Sequence, residues 1–234
     1  MDRINIVKPG LFSKMVSADG RRSEFDCKNE IVVTNKVPVD FVFIGDSITH
    51  NWELNAYFGR SDRLILNRGI AGDTTEYVLK RFEADVLQLH PKHCIVKIGV
   101  NDTWALESDP WSGKQGESAK VVEGQIIKNI TGIMDLAMQH MLSLAICSIL
   151  PTNMDFSRKT RERNILIHDI NQLLKELCHK KNMIYVDYHS HMLQDDEFTI
   201  MDGLTVEGLH PHVLGYNIMA EVLRKTLFEY MIEI

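Results

Sequence analysis

The run Phe41-Val42-Phe43-Ile44-Gly45-Asp46-Ser47 constrains the fold more than any other stretch of the chain. Its uninterrupted aromatic and β-branched residues suit a strand covered on both faces, the pattern of a parallel sheet. Gly45 is read as permitting the tight turn by which the chain leaves that sheet. Such a strand delivers Ser47 to the sheet's carboxyl edge, where α/β proteins place ligands. Taken alone, the serine reads equally as a helix N-cap or as a nucleophile.

Beyond this run, short apolar stretches alternate with longer helix-spaced ones, which predicts parallel strands joined by right-handed crossovers. Strands are expected over 41–45, 63–67, 93–98, 142–149 and 183–187. Helical stripes run through Val78, Leu79, Phe82 and Val86; through Val122, Ile126, Ile130 and Ile133; through Ile167, Ile170, Leu174 and Leu177; and through Leu214, Ile218 and Val222. These stripes read as core. Residues 1–38 are mixed and polar and read as an N-terminal extension packed on a single domain spanning 39–234, with Ile31-Val32-Val33 as a short strand candidate.

Four irregular pieces remain, 68–74, 99–117, 151–160 and 188–210, and each follows the carboxyl end of an expected strand. Their polar residues are therefore expected on the same edge as Ser47. In Asn67-Arg68-Gly69-Ile70-Ala71-Gly72-Asp73-Thr74-Thr75, Gly72 brings a backbone N–H close to a ligand oxygen, although a loop glycine followed by a threonine N-cap explains the segment as well. In Gly99-Val100-Asn101-Asp102, an amide is available to a developing oxyanion, although Asn-Asp is also an ordinary turn dipeptide. In Glu207-Gly208-Leu209-His210-Pro211, a histidine has a carboxylate three residues upstream, the arrangement of a general base and its orienting acid. Asp202 is a rival acid. Asp46 and Asp73 are read as fixing loops through backbone N–H groups. A metal site from Asp46, Asp102, His189, His191 and His210 matches no ligand spacing.

Together these four segments resemble the SGNH hydrolases, or GDSL family of esterases and lipases, in order over residues 41–220. Gly45-Asp46-Ser47 matches the first block, Gly72 the second, Gly99-Val100-Asn101-Asp102 the third, and His210 the catalytic histidine, with Glu207 standing where the family usually has Asp. The resemblance implies a three-layer α/β/α, flavodoxin-like doubly wound sheet of about five parallel strands. It also implies a serine esterase with Ser47 as nucleophile, His210 as general base, Glu207 as the orienting acid, and the N–H groups of Ser47 and Gly72 with the Asn101 amide as the oxyanion hole. No metal or organic cofactor is expected. The likeness to compact members such as the platelet-activating-factor acetylhydrolase catalytic subunits suggests a short acyl group such as acetyl, in a short-chain esterase or a carbohydrate O-deacetylase acting on an acetylated carbohydrate, with Trp52 and Trp104 as candidate substrate contacts beside Tyr57 and Trp111. The alternative is an inactive, ligand-binding member of the family, disabled by the change at Glu207.

Composition narrows the partners. The chain has 234 residues, 44% of them hydrophobic, and a net charge of −6 with no long basic run, so no electrostatic footprint for nucleic acid is present. No apolar stretch reaches the roughly 18 residues of a membrane span, and no leader pattern opens the chain. Cys27, Cys94, Cys147 and Cys178 lack CxxC spacing, three of them sit in apolar periodic segments, and they read as buried free thiols, which together with the missing leader makes the cytoplasm the expected compartment. The expected partner is a small acyl ester, and self-association into a homo-oligomer is left open.

Overall fold

A computed structural model describes residues 4–108 and 113–234; Trp111 lies outside the described residues. The strands are β1 (Phe41–Gly45), β2 (Ile65–Gly69), β3 (His93–Lys97), β4 (Ser143–Cys147) and β5 (Ile184–Val186). They form one sheet of five parallel strands in the order β2-β1-β3-β4-β5, flanked by helices. This is the expected α/β/α architecture. The order reverses between β1 and β3, so the carboxyl end of β1, where Ser47 begins, lies at the topological switch point.

The helices are α1 (Val16–Thr34), α2 (Ser47–His50), α3 (Leu54–Phe58), α4 (Thr75–Asp85), α5 (Ala119–Gln139), α6 (Thr160–Lys181) and α7 (Val213–Glu229). The four apolar stripes therefore form helices, the first shortened because Val86 leaves helical geometry at φ −130° before a 3₁₀ turn at Leu87–Leu89. α7 starts where His212 accepts a hydrogen bond from the Leu214 N–H at 3.3 Å.

Two expectations need correction. Ile31-Val32-Val33 is not a strand but the last turn of α1, whose buried stripe is Ala18, Arg22, Phe25 and Asn29. Two of those four are polar, so the hydrophobic period was hidden and the β-branched triplet dominated the local reading. β2 runs two residues later than expected. Arg60 and Arg63 bridge each other across a turn, and the strand pairs instead through Arg68 with Ile44 and Gly69 with Gly45.

The chain divides into two compact units, residues 1–98 with 129–145 and residues 99–128 with 146–234. In the first, all five residues of β1 are buried, and Phe43 packs against Trp52 and Phe58 with ring centroids 5.9 and 5.8 Å away. In the second, Ile167, Ile170, Leu174, Met219 and Leu223 are fully buried. The four cysteines are free, Cys27 exposed and the others buried. Among the described residues no helix is long and apolar enough to cross a membrane, and no cluster of three or more His, Cys, Asp or Glu side chains is placed to hold a metal ion.

His189, only 5% exposed, makes the second unit sensitive to acid. Burial, with a smaller contribution from His168, holds its pKa down from 6.5 to about 4 against the pull of Asp187. Between those two values the unfolded chain binds a proton that the folded chain refuses. The associated stability is therefore complete above about pH 6.5 and is lost as pH falls toward 4, by up to about 3 kcal/mol. A urea midpoint that falls between pH 7 and pH 4.5 in the wild type, and falls less in His189→Gln, is the expected result.

Candidate active site

Each unit carries part of the predicted constellation. In the first, β1 ends at Gly45, where an added Cβ would lie 2.0 Å from the Lys97 carbonyl oxygen of β3. Close approach of two backbones, rather than a special φ, is what demands glycine there. The next residue, Asp46, is the N-cap of α2, its buried carboxylate accepting from the Ile48 N–H at 2.9 Å and facing Lys97 Nζ at 3.4 Å. This resolves the serine's double reading: Asp46 caps the helix, and Ser47, 7% exposed, is the first helical residue.

β2 braces the same turn. Asn67 donates to the Thr49 and Trp52 carbonyls at 2.8 and 3.1 Å and accepts from the Gly69 N–H at 2.9 Å, while the Ile70 N–H bonds the Gly45 carbonyl at 2.9 Å. Gly72 then takes φ +82°, a left-handed conformation that favours glycine, with the Met15 thioether packed on its Cα.

A buried charge network underlies both loops. Arg81 donates to Asp73 at 2.7 Å, to Asp85 at 2.8 Å and to the Gly45 carbonyl at 3.1 Å, and all three side chains are fully buried. Arg22 of α1 reaches the other Asp73 oxygen at 3.4 Å. Burial pushes the Asp73 carboxyl above its usual range, and Arg81 and Arg22 oppose that shift. The partners described for the Asp73 carboxylate are thus two arginines, which the reading of it as a loop-fixing residue did not include. Arg68, its pKa lowered to about 10 by burial, donates to Asn29, which in turn donates to Asp85 at 2.9 Å.

In the second unit, Asn101 opens the 3₁₀ helix Asn101–Leu106 and is half-buried. His210 and Glu207 are in direct contact: His210 Nδ1 is bonded to Glu207 Oε1, and the His210 N–H approaches Glu207 Oε2 at 3.4 Å. Both side chains are about one-third exposed. A histidine held at Nδ1 by a carboxylate carries its proton there and leaves Nε2 as an acceptor. Asp202 and Glu207 line one cavity, but Glu207 is the acid bonded to the histidine.

The aromatic expectations divide. Trp52, 3% exposed, is part of the core with Phe43, Tyr57 and Phe58, so its reading as a substrate contact is corrected. Trp104 is stacked on Phe156, with the Arg163 guanidinium 4.4 Å from its ring centroid. Sequence reasoning missed Arg81, Asn67, Arg163 and Phe156. The available signal for Arg81 was a cation between Val78 and Phe82 on an apolar stripe, four residues before Asp85.

The model of the GDSL-like Lipase/Acylhydrolase family matches residues 43–218. The chain belongs to that family. At that level it is a hydrolase of ester bonds. It is 22% identical to an acetylxylan esterase of Geobacillus stearothermophilus over 168 residues, 71% of this chain and 74% of the relative. The fold is shared with a GDSL-like lipase from Bacteroides thetaiotaomicron VPI-5482, at TM-score 0.68 and 22% identity, over 88% of this chain and 99% of the other. An acetyl-xylooligosaccharide esterase from Geobacillus aligns at TM-score 0.63 and 18% identity, over 82% and 96%.

Proposed function

We propose that this family member hydrolyses short-chain acyl esters, acetyl esters foremost, through an acyl-enzyme on Ser47. A serine hydroxyl is too weak an acid to attack a carbonyl unaided, so His210 Nε2 takes its proton as the C–O bond forms. Glu207, on Nδ1, fixes the tautomer and stabilises the imidazolium that results. The tetrahedral oxyanion accepts hydrogen bonds from the N–H groups of Ser47 and Gly72 and from the Asn101 amide. Each such donor lowers the barrier by about 3 kcal/mol in comparable sites. Collapse of the intermediate expels the alkoxide, which receives the proton from His210, and water then releases the acid by the same steps.

The observation that carries this reading is the bond between Glu207 and His210 Nδ1. It weighs against the inactive-member alternative, because glutamate here reaches the ring that the family's usual aspartate serves. Catalytic mutants of the Geobacillus esterase replace a serine and an aspartate, consistent with an assignment of nucleophile and acid to Ser47 and Glu207. In the test, Glu207→Gln lowers kcat for 4-nitrophenyl acetate by about 10²- to 10⁴-fold, and Asp202→Asn changes it less than about twofold. The reverse order transfers the acid role to Asp202. Stoichiometric labelling of the wild type by a fluorophosphonate at Ser47 completes the experiment, and its absence favours the non-catalytic alternative.

A further inference from the structure

Phe156 presents a fixed aromatic face to solvent. Its surface is 63% exposed, yet its ring is stacked on Trp104 at 6.1 Å between centroids and 14° between planes. Trp104 is itself immobilised by Arg163, whose guanidinium is anchored on Thr103 at 3.0 Å, Ser157 at 2.6 Å and Glu107 at 3.0 Å. The loop that carries Phe156 is tied to the Glu207 segment, with the Asn153 N–H donating to the Gly208 carbonyl at 2.8 Å.

Between these segments lies a cavity of about 420 Å³ lined by Phe156 with Asn153, Asp155, Asp202, Thr205 and Glu207. The size suits a small ligand. Asp155, Asp202 and Glu207, three of the eleven lining residues, are carboxylates, which accept hydrogen bonds and donate none. A ligand must therefore bring O–H or N–H donors, and an acyl chain, which has none, would desolvate these groups without compensation. The same carboxylates repel a phosphate or a uronic acid.

We infer that this cavity is a binding site for a neutral glycosyl unit, its C–H face lying on the Phe156 ring and its hydroxyls donating to Asp155 and Asp202. That the sugar is the alcohol side of the ester rests on the esterase reading; the binding site does not.

Calorimetric titration of the wild-type protein with xylotriose, cellotriose and chitotriose tests the site without reference to turnover. At least one of the three is expected to bind saturably, with affinity about tenfold weaker in Phe156→Ala, retained in Phe156→Trp and several-fold weaker in Asp202→Asn. Thermal melts confirm that the variants remain folded. No saturable binding by any of the three, or binding that survives Phe156→Ala unchanged, overturns the inference. Hydrolysis of vinyl acetate, whose alcohol is too small to reach an aromatic platform, reads the esterase independently. Sugar binding without vinyl acetate turnover would overturn the esterase reading and uphold the glycosyl site.

Discussion

Ser47→Ala is expected to lower kcat for 4-nitrophenyl acetate by at least about 10⁴-fold, the scale of a lost nucleophile. The thermal melt should move by no more than a few degrees. That separation follows from the local structure. The hydrogen bond that starts α2 is donated by the Ile48 N–H to the Asp46 carboxylate, and alanine in the first helical position leaves that cap intact. Had Ser47 been the N-cap, the same substitution would have cost about 1 kcal/mol and blurred the comparison. Turnover that survives in Ser47→Ala would remove the acyl-enzyme from the mechanism altogether.

Arg81→Met is expected to be the most destabilising single change in the first unit. It removes the guanidinium that joins Asp73, Asp85 and the Gly45 carbonyl, leaving two fully buried carboxylates short of a partner. Breaking one side of a buried pair costs about 3–5 kcal/mol, because the remaining charge stays desolvated. In a chain of this size that is a fall in Tm of roughly 10 °C or more. Arg81→Lys should recover only part of it, since a point charge cannot address three acceptors with the geometry of a planar fork. Asp85→Asn added to Arg81→Met should recover stability as well, by neutralising one buried charge that has lost its cation. A melt within about 2 °C of wild type in Arg81→Met would show that the network contributes little.

The fold was legible where apolar residues recur at regular spacing. β1 declares itself because all of its buried positions are apolar or glycine, and the four helical stripes because enough of their inward positions are hydrophobic to show the period even where Arg81, Asp85, Arg163 and Asn171 are buried beside them. α1 was not legible. Its buried face includes Arg22 and Asn29, whose partners Asp73, Asp85 and Arg68 come from distant parts of the sequence. Charge networks of this kind satisfy themselves only in three dimensions, so no local pattern announces them.

The candidate site shows the same division. The candidates Ser47, Gly72, Asn101 and His210 were read from short segments expected at strand ends, and Glu207 from its spacing to the histidine, which the contact between the two side chains matches. Phe156 was invisible, because a single aromatic in a polar loop acquires meaning only when Trp104 and Arg163 fix its ring. Trp52 misled for the opposite reason: an edge-loop position in sequence became a core position once α3 supplied Phe58 beside it.

The place of α1 has a consequence for where the folding unit ends. The family match begins at residue 43, yet Arg22, Asn29 and Met15 lie upstream of it and touch Asp73, Asp85 and Gly72. The matched segment and the packed unit are therefore different objects in this chain. The candidate site residues lie inside the match, while the scaffold that keeps its second loop in shape borrows side chains from outside.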